Sequence, residues 1–102
     1  MIAISAKVTL DPQAADAYID AAKSIIPLSR KEDGCNHYAF GRDVDDRGII
    51  WISEEWTSEQ ALMDHLKSPH IVAFLEKTAT MKLLGLEVRK YDVRSVSGLQ
   101  PM

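Results

Sequence analysis

The sequence predicts an α+β domain of the ferredoxin-like kind, a β-α-β-β-α-β chain whose four antiparallel strands carry helices on one face. Three observations predict it. The first ten residues alternate with period two, Asp11-Pro12 then opens an amphipathic helix, and two strand-like runs joined by a polar connection precede a second helical region and a last apolar run. At 102 residues the chain has room for one core and one domain, placed at residues 1–96 with a tail at 97–102.

In the first run Ile2, Ile4, Ala6, Val8 and Leu10 share one phase while Ala3, Ser5, Lys7 and Thr9 fill the other, as in a half-buried strand. Asp11 supplies an N-cap and Pro12 sits where its missing N–H costs nothing. Ala15, Tyr18, Ile19, Ala22, Ile25 and Ile26 form the helix's apolar stripe, Pro27 predicts a kink, and Gly34 closes the element.

From Cys35 to Asp43 a strand puts Asn36, Tyr38, Phe40 and Arg42 on one face. Asp43 to Gly48 makes a hairpin connection, and Ile49 to Trp56 returns antiparallel. That strand is apolar in both phases, Ile50, Ile52 and Trp56 in one and Trp51 in the other. One layer of helices covers only one face, so a second copy of the chain is the expected cover for the other.

Thr57 and Gln60 read as a capping box for a short helix with Ala61, Leu62 and Leu66, and Ser68-Pro69 starts another with Ile71, Phe74, Leu75 and Thr78. In the last strand Leu84, Leu86 and Val88 are out of phase with Tyr91 and Val93. A bulge near Arg89-Lys90 would reconcile them.

Composition excludes several classes of function. The net charge is −3 and the twelve Lys and Arg are scattered, so no basic stripe exists for nucleic acid. The N-terminus shows neither a basic leader nor an apolar span, and a lone cysteine, Cys35, suits a reducing compartment; a cytoplasmic protein with no membrane contact is expected. His65 and His70, five residues apart across Pro69, do not share a helical face, and His37 lies on a distant strand, so no metal is expected. The five glycines are dispersed and none opens a helix after a strand, which removes phosphate loops.

What remains is a lined pocket. His65, at helical spacing from Ala61 and Leu62, should turn toward the sheet. There it is either a general base near Glu54 or Tyr38 or a core histidine held by a backbone carbonyl. Glu54 shares a phase with Ile50 and Ile52 and so points inward, needing a partner. Trp56 and Phe74 either stack on a flat ligand or simply pack, and His70 either enters the cavity or braces the Ser68-Pro69 corner.

Lys31-Glu32-Asp33-Gly34-Cys35-Asn36-His37-Tyr38, Glu54-Glu55-Trp56 and His65-Leu66-Lys67-Ser68-Pro69-His70 with Phe74 resemble the EGCxxY, ExW and HxxxxH pattern of the antibiotic biosynthesis monooxygenase domain family, in its small quinol monooxygenase branch. The likeness spans about Ile2 to Val96. It implies a dimeric α+β barrel and oxidation of phenols or hydroquinones by O2 with neither metal nor flavin. His65 is then the base, Glu54 or Tyr38 its partner, and Trp56, His70, Phe74 and Asn36 the substrate-binding wall.

The same likeness includes a haem-degrading branch, from which Ala6, His65 and Leu75 depart. It also includes relatives that isomerise small phosphorylated sugars or diones, where Lys23, Arg30 and Arg42 would have to serve a phosphate. A non-catalytic binding or dimerisation module is the third reading.

Overall fold

A computed structural model describes residues 1–100. The order is β1 (Ile2–Leu10), α1 (Pro12–Arg30), β2 (Cys35–Arg42), β3 (Ile49–Trp56), α2 (Glu59–Leu66), α3 (Pro69–Thr78) and β4 (Leu83–Asp92). All strand pairs are antiparallel and the sheet order is β2-β3-β1-β4. This is the ferredoxin-like arrangement, with the helices on one face.

Register fixes which residues meet the helices. Val8 faces Ile50, Ala6 faces Ile52 and Ile4 faces Glu54 across β1 and β3, so Glu54 does lie on the inner face in a row of aliphatic side chains. Trp56 ends that row wholly buried, between Ile2 on one neighbouring strand and Cys35 on the other. Tyr18, Ala22 and Ile25 of α1, Leu62 of α2, and Ile71 and Phe74 of α3 close the core from above.

The helix starts follow local chemistry, with one displacement. Asp11 caps α1 through Gln13 N–H at 2.9 Å, and Pro12 occupies the first helical position. α1 continues through Pro27, where Pro27 and Lys23 are both exposed, so the carbonyl that proline leaves unpaired faces solvent. The cap of α2 is Ser58, one residue later than the Thr57–Gln60 box; its hydroxyl accepts from Ala61 N–H at 3.1 Å, while Gln60 donates to Asp64 instead.

Two register irregularities correct the sequence reading. β4 runs straight through Arg89 and Lys90; the shift comes at its start, where Thr9 pairs Gly85 but Leu10 pairs Leu83, and Leu84 is the extra residue. Leu86 and Val88 therefore face the helix side and Tyr91 the other, with no bulge between them. In β2, Cys35 pairs Trp56 and His37 pairs Glu55, so Asn36 is bulged out and leaves the face of Tyr38.

The outer face is less apolar than the sequence suggested. Trp51 is 43% exposed, but its N–H donates to Asp43 at 2.8 Å and Lys7 Nζ lies 5.6 Å from its ring centre, which satisfies both ends of the indole. The larger uncovered apolar area lies on the helix side of β4, at Leu83, Leu84, Leu86 and Val88. Among the described residues no helix is long and apolar enough to cross a membrane.

Gly34 ties α1 to α2. It adopts φ 85°, and its carbonyl accepts from Thr57 N–H at 2.8 Å. A Cβ there would stand 2.6 Å from the Ala61 Cβ and 2.7 Å from the Thr57 hydroxyl oxygen. Gly34→Ala should cost about 2 kcal/mol or more in denaturant unfolding, through positive φ and overlap together, whereas Gly41→Ala, with open space at its Cβ, should stay within about 1 kcal/mol of wild type.

Candidate functional site

α2 ends at His65 and Leu66, and the Ser68-Pro69 corner turns the chain into α3. Ser68 does not cap α3 with its side chain. Its hydroxyl donates to the His65 carbonyl at 2.6 Å and lies 3.3 Å from His70 Nε2, which locks the corner.

His65 is 2% exposed and is held between two carboxylates. Its Nδ1 lies 2.5 Å from Glu32 Oε2, a short charge-assisted bond, and its Nε2 lies 4.0 Å from Glu54 Oε1. The ring stacks tilted on Trp56 at 4.5 Å between centroids and meets Tyr38 edge-on at 5.1 Å. Glu54 is held in turn by Trp56, whose indole N–H donates to Oε1 at 2.9 Å.

Burial pushes the Glu54 carboxyl above its ordinary range, against the smaller opposing pulls of the Trp56 hydrogen bond and His65. Burial likewise raises Tyr38 well above its usual range and Tyr18 to about 12, with Glu54 adding to both. Both hydroxyls therefore remain protonated donors near neutral pH.

A cavity of about 140 Å³ opens beside this network, lined by Tyr18, Tyr38, Phe40, Ile52, Glu54, His65, Leu66, Ile71, Phe74 and Leu75. A second, of about 230 Å³, shares Tyr18, Ile52, Glu54 and Leu75 with it and runs on beneath Leu86 and Val88 of β4. The two adjoin as one largely apolar trough, with Tyr18 and Glu54 where they meet and Tyr38 and His65 in the smaller cavity.

Of the expected site residues, His65, Glu54, Tyr38 and Phe74 line the first cavity. Trp56 does not: fully buried behind His65, it braces rather than lines. His70 turns the other way, into a groove of about 230 Å³ between α1 and α3, with Nε2 3.5 Å from Glu32. Asn36, displaced by its bulge, lies in an exposed hollow with Arg30, Cys35 and His37.

Glu32 and Tyr18 were missed. Glu32 sits in the charged run Lys31-Glu32-Asp33 and looks solvated; the available signal was that an inward histidine requires a carboxylate or carbonyl partner. Tyr18 belongs to the apolar stripe of α1, and it also lines the cavity beside Glu54, a polar role that helical spacing does not signal.

The expectation that His65 and His70 stay apart fails at the corner. Their separation by five residues would splay them on one continuous helix, but the break puts the rings 6.2 Å apart with Glu32 between them.

Fold and site together define a small ferredoxin-like domain with a buried carboxylate–histidine pair at the end of an aromatic trough. The family model for antibiotic biosynthesis monooxygenase matches residues 1–77, and the chain belongs to that family. A Bacillus subtilis protein named "Putative monooxygenase YcnE" is 25% identical over 93 residues, 91% of this chain and 98% of that one. A Deinococcus radiodurans structure described as a "putative antibiotic biosynthesis monooxygenase" superposes with a TM-score of 0.88 at 20% identity, covering 99% of this chain and all of that one. Rv0793 from Mycobacterium tuberculosis gives a TM-score of 0.85 at 24% identity over 95% and 98% of the two chains.

Because the folded state holds the Glu54 proton more tightly than the unfolded chain, Glu54 favours folding below its unfolded value. That advantage is lost as pH rises through its raised folded value, and above both values the buried charge is a cost. Glu54→Gln, which keeps an acceptor for Trp56, should therefore melt above wild type at about pH 7, with the gap closing toward about pH 4. Thermal scans across that range check it, and a gap that widens in acid would contradict it.

Proposed function

We propose that the chain is a monooxygenase that oxidises a phenolic or hydroquinone-type small molecule with O2 and needs neither metal nor flavin for the reaction. The observation that carries this reading is the geometry at His65: Nδ1 is engaged by Glu32, and the opposite nitrogen faces Glu54 at the end of a trough lined by aromatic and aliphatic side chains. Family membership supports the class of reaction; the substrate class rests on the lining.

In this reading a flat phenol lies in the trough with its hydroxyl toward His65, which takes the proton through Nε2 while Glu32 holds the ring and balances the imidazolium that forms. Tyr38 and Tyr18, kept protonated by burial, donate to the developing phenolate. The electron-rich ring then gives an electron to O2. Recombination at a ring carbon bearing hydrogen forms a hydroperoxide, which loses water to leave a quinone, so that one oxygen atom enters the product and the other leaves in water. The protein's share is deprotonation, positioning and the exclusion of bulk water.

The isomerase alternative fares worse on one specific point. Neither cavity is lined by a cationic side chain. Lys23 pairs with Asp20, Arg42 with Asp16, and Arg30 donates through Nε to the Tyr38 carbonyl, so the cations a phosphate would require are engaged outside the trough. Phe40, Phe74, Tyr18 and Tyr38 suit a flat apolar ring better than a sugar.

We further read the active form as a homodimer. Leu86 and Val88, more than half exposed on β4, roof the outer end of the trough and leave it open, and a second copy of the chain is the natural cover for an edge strand of this kind. The cytoplasm remains the expected compartment.

Oxygen uptake with a panel of naphthohydroquinones tests the reaction. His65→Ala should lower kcat by roughly 10²–10⁴, Glu32→Gln should lower kcat more than it raises KM, and Tyr38→Phe should lose roughly tenfold through a missing donor. Wild-type turnover in His65→Ala, or proton exchange next to a carbonyl with no O2 consumed, would overturn the reading. For the dimer, Val88→Lys should shift sedimentation toward the monomer mass while leaving far-ultraviolet dichroism unchanged.

A further inference from the structure

We propose that Glu32, His65 and His70 form a site for one divalent transition ion of the zinc type. This goes beyond the oxidation reading and does not rest on it. One ligand atom from each residue falls within a set whose members all lie within 4.8 Å of one another. Glu32 Oε2 is the hub, 2.5 Å from His65 Nδ1 and 3.5 Å from His70 Nε2.

Two imidazoles and a carboxylate are the donor set that borderline ions such as Zn²⁺, Co²⁺ and Ni²⁺ favour. Bond lengths of about 2.0–2.2 Å place tetrahedral ligand atoms about 3.3 Å apart. The His70–Glu32 separation already fits that spacing. The His65–Glu32 pair must open by a little under about 1 Å, which replacement of its shared proton by an ion accomplishes in one step.

The surroundings are those of a built site. When His65 Nδ1 ligates, its proton sits on Nε2 and faces the Glu54 carboxylate that Trp56 holds in place, 4.0 Å away, so that a shift of about 1 Å would complete the outer hydrogen bond that metal-bound histidines ordinarily make. Ser68 Oγ, 3.3 Å from His70 Nε2, stands at about the spacing of neighbouring ligand atoms, so the hydroxyl borders the fourth position. Entry is through the groove between α1 and α3, where His70 stands among Ala21, Ser24, Ala73 and Lys77. Lys77 is the one lysine or arginine in that lining and opposes an approaching ion, so the site takes its selectivity from its ligands rather than from a field that gathers cations.

Such an ion is not a cofactor for the proposed oxidation. It fixes the proton on Nε2 of His65 and so removes the base from the trough, which makes occupancy and proton abstraction mutually exclusive. The same Glu32 that would hold His65 ready for proton transfer is then also a ligand through which an ion shuts the site.

Titration calorimetry with Zn²⁺, together with metal content after dialysis, reads the site without any assay of activity. Wild type should bind one ion per chain, and Glu32→Gln and His70→Asn should each weaken binding at least tenfold. His37→Ala and Cys35→Ser, which alter the only other histidine and the only thiol, should leave it unchanged, and Co²⁺ absorption should show tetrahedral ligation with no thiolate band. No stoichiometric binding by wild type would overturn the proposal. So would wild-type affinity in both Glu32→Gln and His70→Asn, or loss of binding in His37→Ala or Cys35→Ser. Because the two ligand variants lie on different elements, misfolding of one still leaves the other to decide.

Discussion

The indole of Trp56 is the constraint on which the rest of this structure depends. It closes β3 in full burial, and its one polar atom finds a partner in the side chain two residues back on the same face, Glu54. That single bond fixes an inward carboxylate at the level of the helices. The ring above then offers a surface on which His65 stacks and an edge for Tyr38. Trp56 is thus both the floor of the core and the scaffold of the polar network, a combination that only a large apolar ring with one N–H can provide.

Two carboxylates and an imidazole under one helix layer present an electrostatic problem, because each carboxylate taken out of water costs free energy unless a positive or hydrogen-bonding partner meets it. The structure distributes that cost unequally. Glu32 is partly open to solvent and is matched with His65 at short range, whereas Glu54 has only the indole at hydrogen-bond distance, and burial pushes its carboxyl above the ordinary carboxylate range. The pair is therefore differentiated by environment rather than by residue type: one carboxylate anchors the imidazole, and the other takes up a proton more readily than an exposed glutamate does.

Much of this was legible in the sequence because it follows from period and capping. The phase of Ile50 and Ile52 put Glu54 inward, Asp11-Pro12 and Ser68-Pro69 started their helices, and His65 turned inward at the spacing of Ala61 and Leu62. The failures share a cause: each is a non-local event in an irregular segment. The bulge at Asn36 is set by how Cys35 must meet Trp56 across the ladder, and the bulge at Leu84 by how β4 joins the end of β1; Gly85 beside Leu84 is the one local sign of the second, and the phase change of the later residues points past it to Arg89-Lys90. Glu32 lies just beyond a helix end, where a charged residue is the commonest finding, and it becomes a partner for His65 only because Gly34 turns at positive φ and docks on Thr57. The meeting of His65 with His70 arises the same way, from a helix break whose angle a sequence does not state.

The absence of a cation from the trough lining constrains the chemistry further than the identity of any one residue. On the oxidation reading, a ligand that arrives neutral and gives its proton to His65 becomes an anion among Tyr18, Tyr38 and Glu54, with no lysine or arginine in the lining. Two phenolic donors lessen the cost of that anion, but a nearby carboxylate adds to it, so the deprotonated ligand is held less comfortably than in a site with an arginine or lysine. On the oxidation reading this is an advantage: an anion poorly stabilised by its surroundings is a better electron donor, and passing an electron to O2 disperses the charge. Enolisation of a phosphorylated substrate would need a fixed cation as well, and neither cavity lining holds one. The same trough that makes phenolate oxidation reasonable therefore suits a phosphorylated enolate poorly, and it does so through what its walls are made of rather than through the base they share.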